Sequence, residues 1–480
     1  MKRSILALSL ALCILLSACA GLAADKPALR ILGRDATFDL SSSPVVDILK
    51  ETTGYSIEFE ALPVGDEGTT KLLLLLAGGT PYDLVDSYPV HFDRALAAHA
   101  VMPLDDLIKN APALMEAVPA DSPSWDRVRG EDGKIYGIPQ LSPTGGPVSS
   151  VAVRMDLLDA QGIALPTTPD ELYAALIKLK AAYPDMIPLT TSDSCLLPPV
   201  ISAFASYQTW LKVEDKYLPV QLRESYRDYI EFVRKLYAEG LLDAEFPAND
   251  NATRLSKFTS GKAVMTYFGS SEGPGFYSAL ETAVPGAQVA YLPFLKDENG
   301  VAGVEVDLGL EKIAFIPKTA ANPEAAMDYV NSFMANFKEI YIGPEGVDHE
   351  VVDGQYRPIM PAFSKHDTVW WFLPAVDEKH VQEWWKARVR KSAEVERGYM
   401  DTFAVKAQEG LDIVNYPLAM VQPNDELSKL QGVADVNWKA EMIKIISGAL
   451  PMDDYAKAVE KWRAGGGDRI VEIVNGILIK

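Results

Sequence analysis

The sequence predicts an α/β protein built on parallel strands, and three stretches predict it. LRILGRD has the alternation of a strand. SPVVDILKETTG follows with helical spacing, and GYSIEFEALP reads as a second strand. TTKLLLLLAGGTPYDLVDSYP then repeats the pattern as helix, Gly-rich stop and strand. Strands that alternate with helices form parallel sheets, because the helix is the crossover that lets the next strand run the same way. Apolar content of 48% and charged content of 23% are ordinary for a globular chain, and 480 residues suffice for roughly two or three domains.

The elements follow in order. In the first helix Val46, Ile48 and Leu49 are expected inside, with Gly54 just past the end. The five leucines of KLLLLL (71–76) read as a buried helix, too short for a membrane span. PTTPDELYAALIKLKAAYP (166–184) carries the clearest helix start. Thr168 is the N-cap, Pro169 the first helical residue, and Glu171 completes a capping box; Leu172, Leu176 and Leu179 face inward. Residues 319–337 repeat the logic: Asn322 caps, Pro323 opens, and Ala326, Val330, Phe333 and Phe337 face inward. The last third is helical, with Tyr455, Val459 and Trp462 on one stripe and a stop at Gly465-Gly466-Gly467. No fixed-period repeat or low-complexity linker separates these parts, so the domains are expected to share strands and crossovers.

The first residues address the chain. Lys2 and Arg3 precede an apolar run from Ile5 to Leu16, which fits a secretory leader and is too short for a ~30 Å hydrocarbon core. Leu16-Ser17-Ala18-Cys19 resembles a bacterial lipobox, so residues 1–18 are expected to be a signal peptide and 19–28 a leash lipidated on Cys19. The other cysteines are Cys13, inside the leader, and Cys195, which is then left without a disulfide partner and reads as a small buried residue. A formal net charge of −21, more negative once Lys2 and Arg3 are removed, argues against nucleic acid and anionic membrane as partners.

An ordered set of motifs resembles one family, the extracellular solute-binding lipoproteins of bacterial ABC importers, carbohydrate type, in the subgroup with long C-terminal extensions. The set is LLAGGTPYDLVDSYP, MPLDDLI, DGKIYGIP, VAVRMDLLDAQGIALPTTPDEL, LDAEF with KFTSGKAVM, IPKTAANPEAAMDYV, GPEGVDHEVVDGQ and ISGALPMDDYAKAVEKW. The loop GRDATFDLSSSP lacks the tryptophan-rich stretch often seen there, and the end shows NGILIK in place of Asn-x-Trp-Tyr. The resemblance implies a two-lobed periplasmic-binding-protein-like clamshell of type II with a helix-rich C-terminal part. It places 29–140 and about 308–365 in lobe 1, and about 141–307 and 366–480 in lobe 2. It implies a monomer, exported and tethered at the outer face of the membrane (or in a periplasm), that takes a mono- or oligosaccharide in the cleft and delivers it to a permease, with no cofactor, metal or catalysis.

A sugar offers flat C–H faces and many hydroxyls, so its site needs aromatic platforms and polar arms. Ser87 and Tyr88 follow a strand expected to end at the cleft, where open α/β sheets bind ligands. Trp125 and Tyr136 lie around the DGKIYGIP motif, Tyr136 reading as packing. Gln140 and Ser142 are near the expected hinge, and Arg154 and Asp156 open the second lobe, as readily structural as binding. Tyr207, Trp210, Tyr267, Ser270, Ser271, Glu272 and Asp307 complete the candidates. The pairs Trp370-Trp371 and Trp384-Trp385 read as core, since neighbours on a helix point ~100° apart. The alternative is an exported hydrolase using Ser271 or a carboxylate pair. GSSEG matches the Gly-x-Ser-x-Gly elbow, with His349, His366 and His380 downstream, but an elbow needs a helix at once and GPGF is expected to delay it. The five histidines show no zinc spacing, and DENG (297–300) reads as a turn.

Overall fold

In the computed structural model the described residues are 26–479 apart from 35, 37, 64–65, 142–148, 194–196, 205–208, 270–271, 307–309, 407–410, 419–420 and 422–423. Nine strands form two main sheets. β1 (Leu29–Gly33), β2 (Ile57–Ala61), β3 (Leu84–Ser87) and β4 (Ile138–Leu141) belong to the first, β5 (Ser149–Arg154), β6 (Ile187–Thr190), β7 (Ala263–Gly269) and β8 (Val289–Tyr291) to the second, and β9 (Leu310–Phe315) returns to the first. The first sheet runs β2-β1-β3-β9-β4 and the second β8-β5-β7-β6. Helices cross between β1, β2 and β3, which pair in parallel as the β-α-β pattern requires.

The registers define one edge of each sheet. β9 is antiparallel to β3, with Ile313 opposite Ser87, and to β4, with Leu310 opposite Leu141. Gly33, Ser87, Leu141 and Leu310 therefore share an edge of the first sheet. In the second, Ser149 pairs with Gly269, and β6 runs parallel to β7 with Thr190 beside Thr266. Ser149, Thr190 and Gly269 thus lie toward one edge, and Arg154, which pairs with Val289, lies at the other end of β5. The chain passes from the first sheet to the second between Leu141 and Ser149 and re-enters the first at Leu310, after the strand Ala302–Val306, which pairs with Leu411–Asn415 in a separate two-stranded sheet; both edges meet the outgoing crossing, and the first edge also meets the return.

Each sheet carries its own core. One draws on segments between Leu29 and Ile138 and between Ile313 and Ala387; the other joins β5, β6 and β7 to the helices Glu224–Ala238, Asp425–Ile446, Asp454–Trp462 and Asp468–Leu478. The stretch from 366, expected in the second lobe, differs. Val369, Phe372, Leu373, Val381, Trp384 and Ala387 are buried in the first core, because this apolar run covers helices of that lobe. A third passage follows the helix Val381–Val389: the next helix, Ala393–Lys406, reaches the second lobe through Glu394, which accepts from the Ser278 amide at 2.6 Å.

Several local details depart from sequence logic. The first helix buries Val45, Leu49 and Thr53, with Val46 and Ile48 only partly covered, and ends on Gly54 at φ 75°. In the helix Asp66–Ala77, Leu72 and Leu76 are buried but Leu74 is 68% exposed, since one side faces solvent. Thr168 caps through the Glu171 amide, yet Glu171 reaches back to the amide and hydroxyl of Thr167, both at 2.8 Å. Asn322 makes no side-chain cap; its amide donates to Asp83 and ties the helix to the loop before β3. The triple glycine is a kink at Gly466, φ 116°, after which the helix resumes as Asp468–Leu478.

Candidate functional site at the sheet edges that meet the crossings

At the first edge, Arg34 leaves β1 and lies among aromatic rings. Its guanidinium carbon is 5.6 Å from the ring centre of Tyr88, 5.4 Å from Trp371 and 5.9 Å from Trp370. Nη1 donates to the Tyr88 hydroxyl at 3.4 Å and is 3.5 Å from Glu311 Oε1. Glu311 also accepts the indole N–H of Trp370 at 3.0 Å, and Phe38 meets Trp371 edge-on at 5.4 Å. Phe38, Tyr88, Trp370 and Trp371 are each half-buried; Tyr88, Trp370 and Trp371 surround the guanidinium and Phe38 extends the wall through Trp371. Behind them Lys312, wholly buried, donates to Asp86 at 2.6 Å and to the Leu373 carbonyl at 2.8 Å. Burial pushes the Lys312 ammonium down and the Asp86 carboxyl up, and their mutual attraction opposes both shifts.

The predicted residues divide. Ser87 and Gln140 are fully buried at this edge, and the Ser87 hydroxyl and both Gln140 amide atoms have no hydrogen-bond partner among the described residues. Gln140 stands opposite Lys312 in the ladder. Tyr88 belongs to the aromatic wall. Trp125 does not: it is 2% exposed in the first core, and its indole N–H donates to the Pro119 carbonyl at 3.1 Å, which makes it a packing residue. Tyr136 donates to Asp132 at 3.0 Å.

In the second lobe, Trp210 is buried in the core. Arg154 forms a two-pronged pair with Asp156, at 2.8 and 2.6 Å, at the end of β5 away from the crossing. Five residue steps of ~3.4 Å separate it from Ser149, so it is structural. Tyr267 is half-buried under the guanidinium of Arg254, 4.6 Å from its ring centre. Arg254 Nη1 donates to the Tyr267 carbonyl at 2.6 Å, and Nη2 pairs with Glu272. Glu272 also accepts the Gly269 amide at 2.9 Å, so its carboxylate pins the strand end. Nearby, Thr190, Asn249 and Lys257 all donate to Asp243 Oδ2. Burial raises the Asp243 carboxyl, but the bonds from Lys257 and Thr190 outweigh it and hold the group below its ordinary value. Ser142, Tyr207, Ser270, Ser271 and Asp307 lie outside the described residues, as do Cys19 and Cys195.

The residues missed from sequence are Arg34, Phe38, Glu311, Trp370 and Trp371. The signal for Arg34 was its place immediately after the first strand. The two tryptophans sit in a short 3-10 turn, Val369–Phe372, and both flank Arg34. The other pair packs inward: Trp384 against Phe337 and His380, Trp385 against Trp370.

The helix Gly273–Ala283 has Glu272 as its N-cap, so GPGF does not delay it as expected. His349 and His366 are buried among first-lobe segments, and His380 pairs with Asp377 in the same lobe. At DENG, Asp297 accepts from the Asn299 and Val301 amides, both at 2.9 Å, which makes a tight turn.

Two lobes, each with its parallel-strand ends turned to the crossings, form the architecture of a solute-binding protein. The sequence model of the bacterial extracellular solute-binding protein family matches residues 43–336, and the chain belongs to that family, whose members bind solutes and are not enzymes. A Niallia circulans protein, described as an uncharacterized protein in the butB 5′ region, is 34% identical over 251 residues, 52% of this chain and 97% of its own. The polygalacturonan/rhamnogalacturonan-binding protein YtcQ of Bacillus subtilis (strain 168) is 22% identical over 370 residues, 71% of this chain and 69% of its own. Among solved structures, the alginate-binding protein AlgQ2 superposes with a TM-score of 0.68 at 16% identity, covering 96% of this chain and 100% of its own. An HMO-binding ABC-transporter-associated solute-binding protein of Bifidobacterium longum infantis gives 0.69 at 15%, covering 94% and 98%. At these identities the structural likeness is one of fold. No helix among the described residues is long and apolar enough to cross a membrane.

Proposed function

We propose that the protein captures an oligosaccharide between its lobes and delivers it to the membrane permease of an ABC importer. The observation that carries this reading is the half-buried wall of Phe38, Tyr88, Trp370 and Trp371 around Arg34, at a sheet edge that meets the crossings. Such rings take the C–H faces of a sugar, and Glu311 is the polar arm beside them. The saccharide ligands in the names of YtcQ, AlgQ2 and the Bifidobacterium protein support the class. In the same reading Cys19, after Leu16-Ser17-Ala18, carries the lipid that tethers the chain. Lobe 1 comprises 29–140 and about 308–389, and lobe 2 comprises about 141–307 and 390–480, with closure by hinge bending at the crossings.

A thermal-shift screen of the purified protein against mono-, di- and oligosaccharides and short peptides tests this. A ligand at 100 times its Kd stabilises the fold by about 2.7 kcal/mol. The expected result is a shift from one saccharide class, with the saccharide recovered intact. A shift from peptides alone, or degradation of the compound, overturns the reading.

A further inference from the structure

Resting on the oligosaccharide reading, we propose that Glu311 sets the charge class of the ligand: it neutralises Arg34 at the aromatic wall and makes the site select uncharged sugars over sugars bearing carboxylates. Four charged groups build this edge, and they balance. Lys312 and Asp86 form the buried pair behind the rings, with side chains 0% and 5% exposed. Arg34 and Glu311 form the forward pair, with side chains 7% and 29% exposed. The guanidinium is therefore enclosed, and the more accessible member of the pair is the acid. A uronate stacked on Trp370 and Trp371 would bring its carboxylate beside Glu311, and like charges in so confined a site repel strongly. An uncharged sugar meets the opposite situation: its hydroxyls donate to the open side of Glu311, whose side chain is the more exposed member of the pair.

The arrangement has a structural explanation to be separated from this one, because Glu311 also fixes Trp370 through the 3.0 Å indole bond. The substitution Glu311→Gln separates them. The amide oxygen still accepts from Trp370, while the negative charge is gone.

The test starts from the tightest saccharide in the thermal-shift screen and its charge twin. For a neutral binder the twin is the same oligosaccharide oxidised at its primary hydroxyls to carboxylates; for a uronate binder it is the methyl ester. Calorimetric titration of both twins into wild-type and Glu311→Gln protein is expected to show at least a tenfold preference of the wild type for the neutral twin. The variant should narrow that preference about tenfold, with Trp370 fluorescence unchanged in the free protein. A wild type that binds the carboxylate twin as tightly as the neutral one overturns the proposal. So does a variant that weakens both twins equally, which would make Glu311 a prop for Trp370 alone. If no saccharide of either charge binds, the oligosaccharide reading itself fails and takes this inference with it.

Discussion

The two sheet edges at the crossings have the same topological origin and opposite chemistry. In the first lobe the edge presents rings: Tyr88, Trp370 and Trp371 stand half-open around a guanidinium. In the second lobe the described edge turns its charges on itself. Arg254 is occupied by Glu272 and the Tyr267 carbonyl, and Asp243 takes three donors on one oxygen. The lesson is that strand ends decide where a site lies, while the partners available to each side chain decide whether it frames the site or touches a ligand. A carboxylate with its lone pairs filled internally is a brace; one with an open side is an arm.

That contrast is breakable, beginning with the largest effect. Glu272→Ala leaves the Arg254 guanidinium buried without its counter-charge, and removing one partner of a buried pair costs about 3–5 kcal/mol. Thermal or denaturant unfolding should show a loss of that size; a variant as stable as wild type would show that Glu272 is free to act on ligand. Trp370→Ala at the other edge should weaken saccharide binding by about 1–3 kcal/mol, roughly ten- to hundredfold, by titration calorimetry. Unchanged affinity would remove the wall from the site. Trp125→Phe, which loses the bond to Pro119, should cost about 1–2 kcal/mol of stability and leave affinity within twofold. The acid limb of stability sharpens the brace further. Asp243 titrates below its unfolded value of about 3.9, so its contribution is whole above that pH and lost as pH falls through the lower folded value. Asp243→Asn should be less stable at neutral pH and show a flatter decline below about pH 4. The smallest effect is at Arg154: Arg154→Met should leave ligand affinity within twofold, since the pair with Asp156 lies at the far end of β5.

What the sequence determined by itself was local. Thr168 and Pro169 start a helix and Gly54 ends one because the cap, the fixed φ and the left-handed turn act within a few residues. The alternation of strands and helices determined a parallel sheet for the same reason. The failures came where a distant segment competes for the same group. Asn322 is held by Asp83, which accepts both its backbone and side-chain N–H, and its own oxygen makes no cap; the glycines at 465–467 bend the chain because the following helix has a core face to bury. The site shows this most clearly. Trp125 and Trp370 share a local setting, each an indole in a short 3-10 turn. Tertiary structure buried the first against the Pro119 carbonyl and stood the second half-open against Arg34, a residue 336 positions away along the chain. Exposure of a ring depends on what packs over its other face, and that face is supplied by strands brought together only when the chain returns from its second lobe.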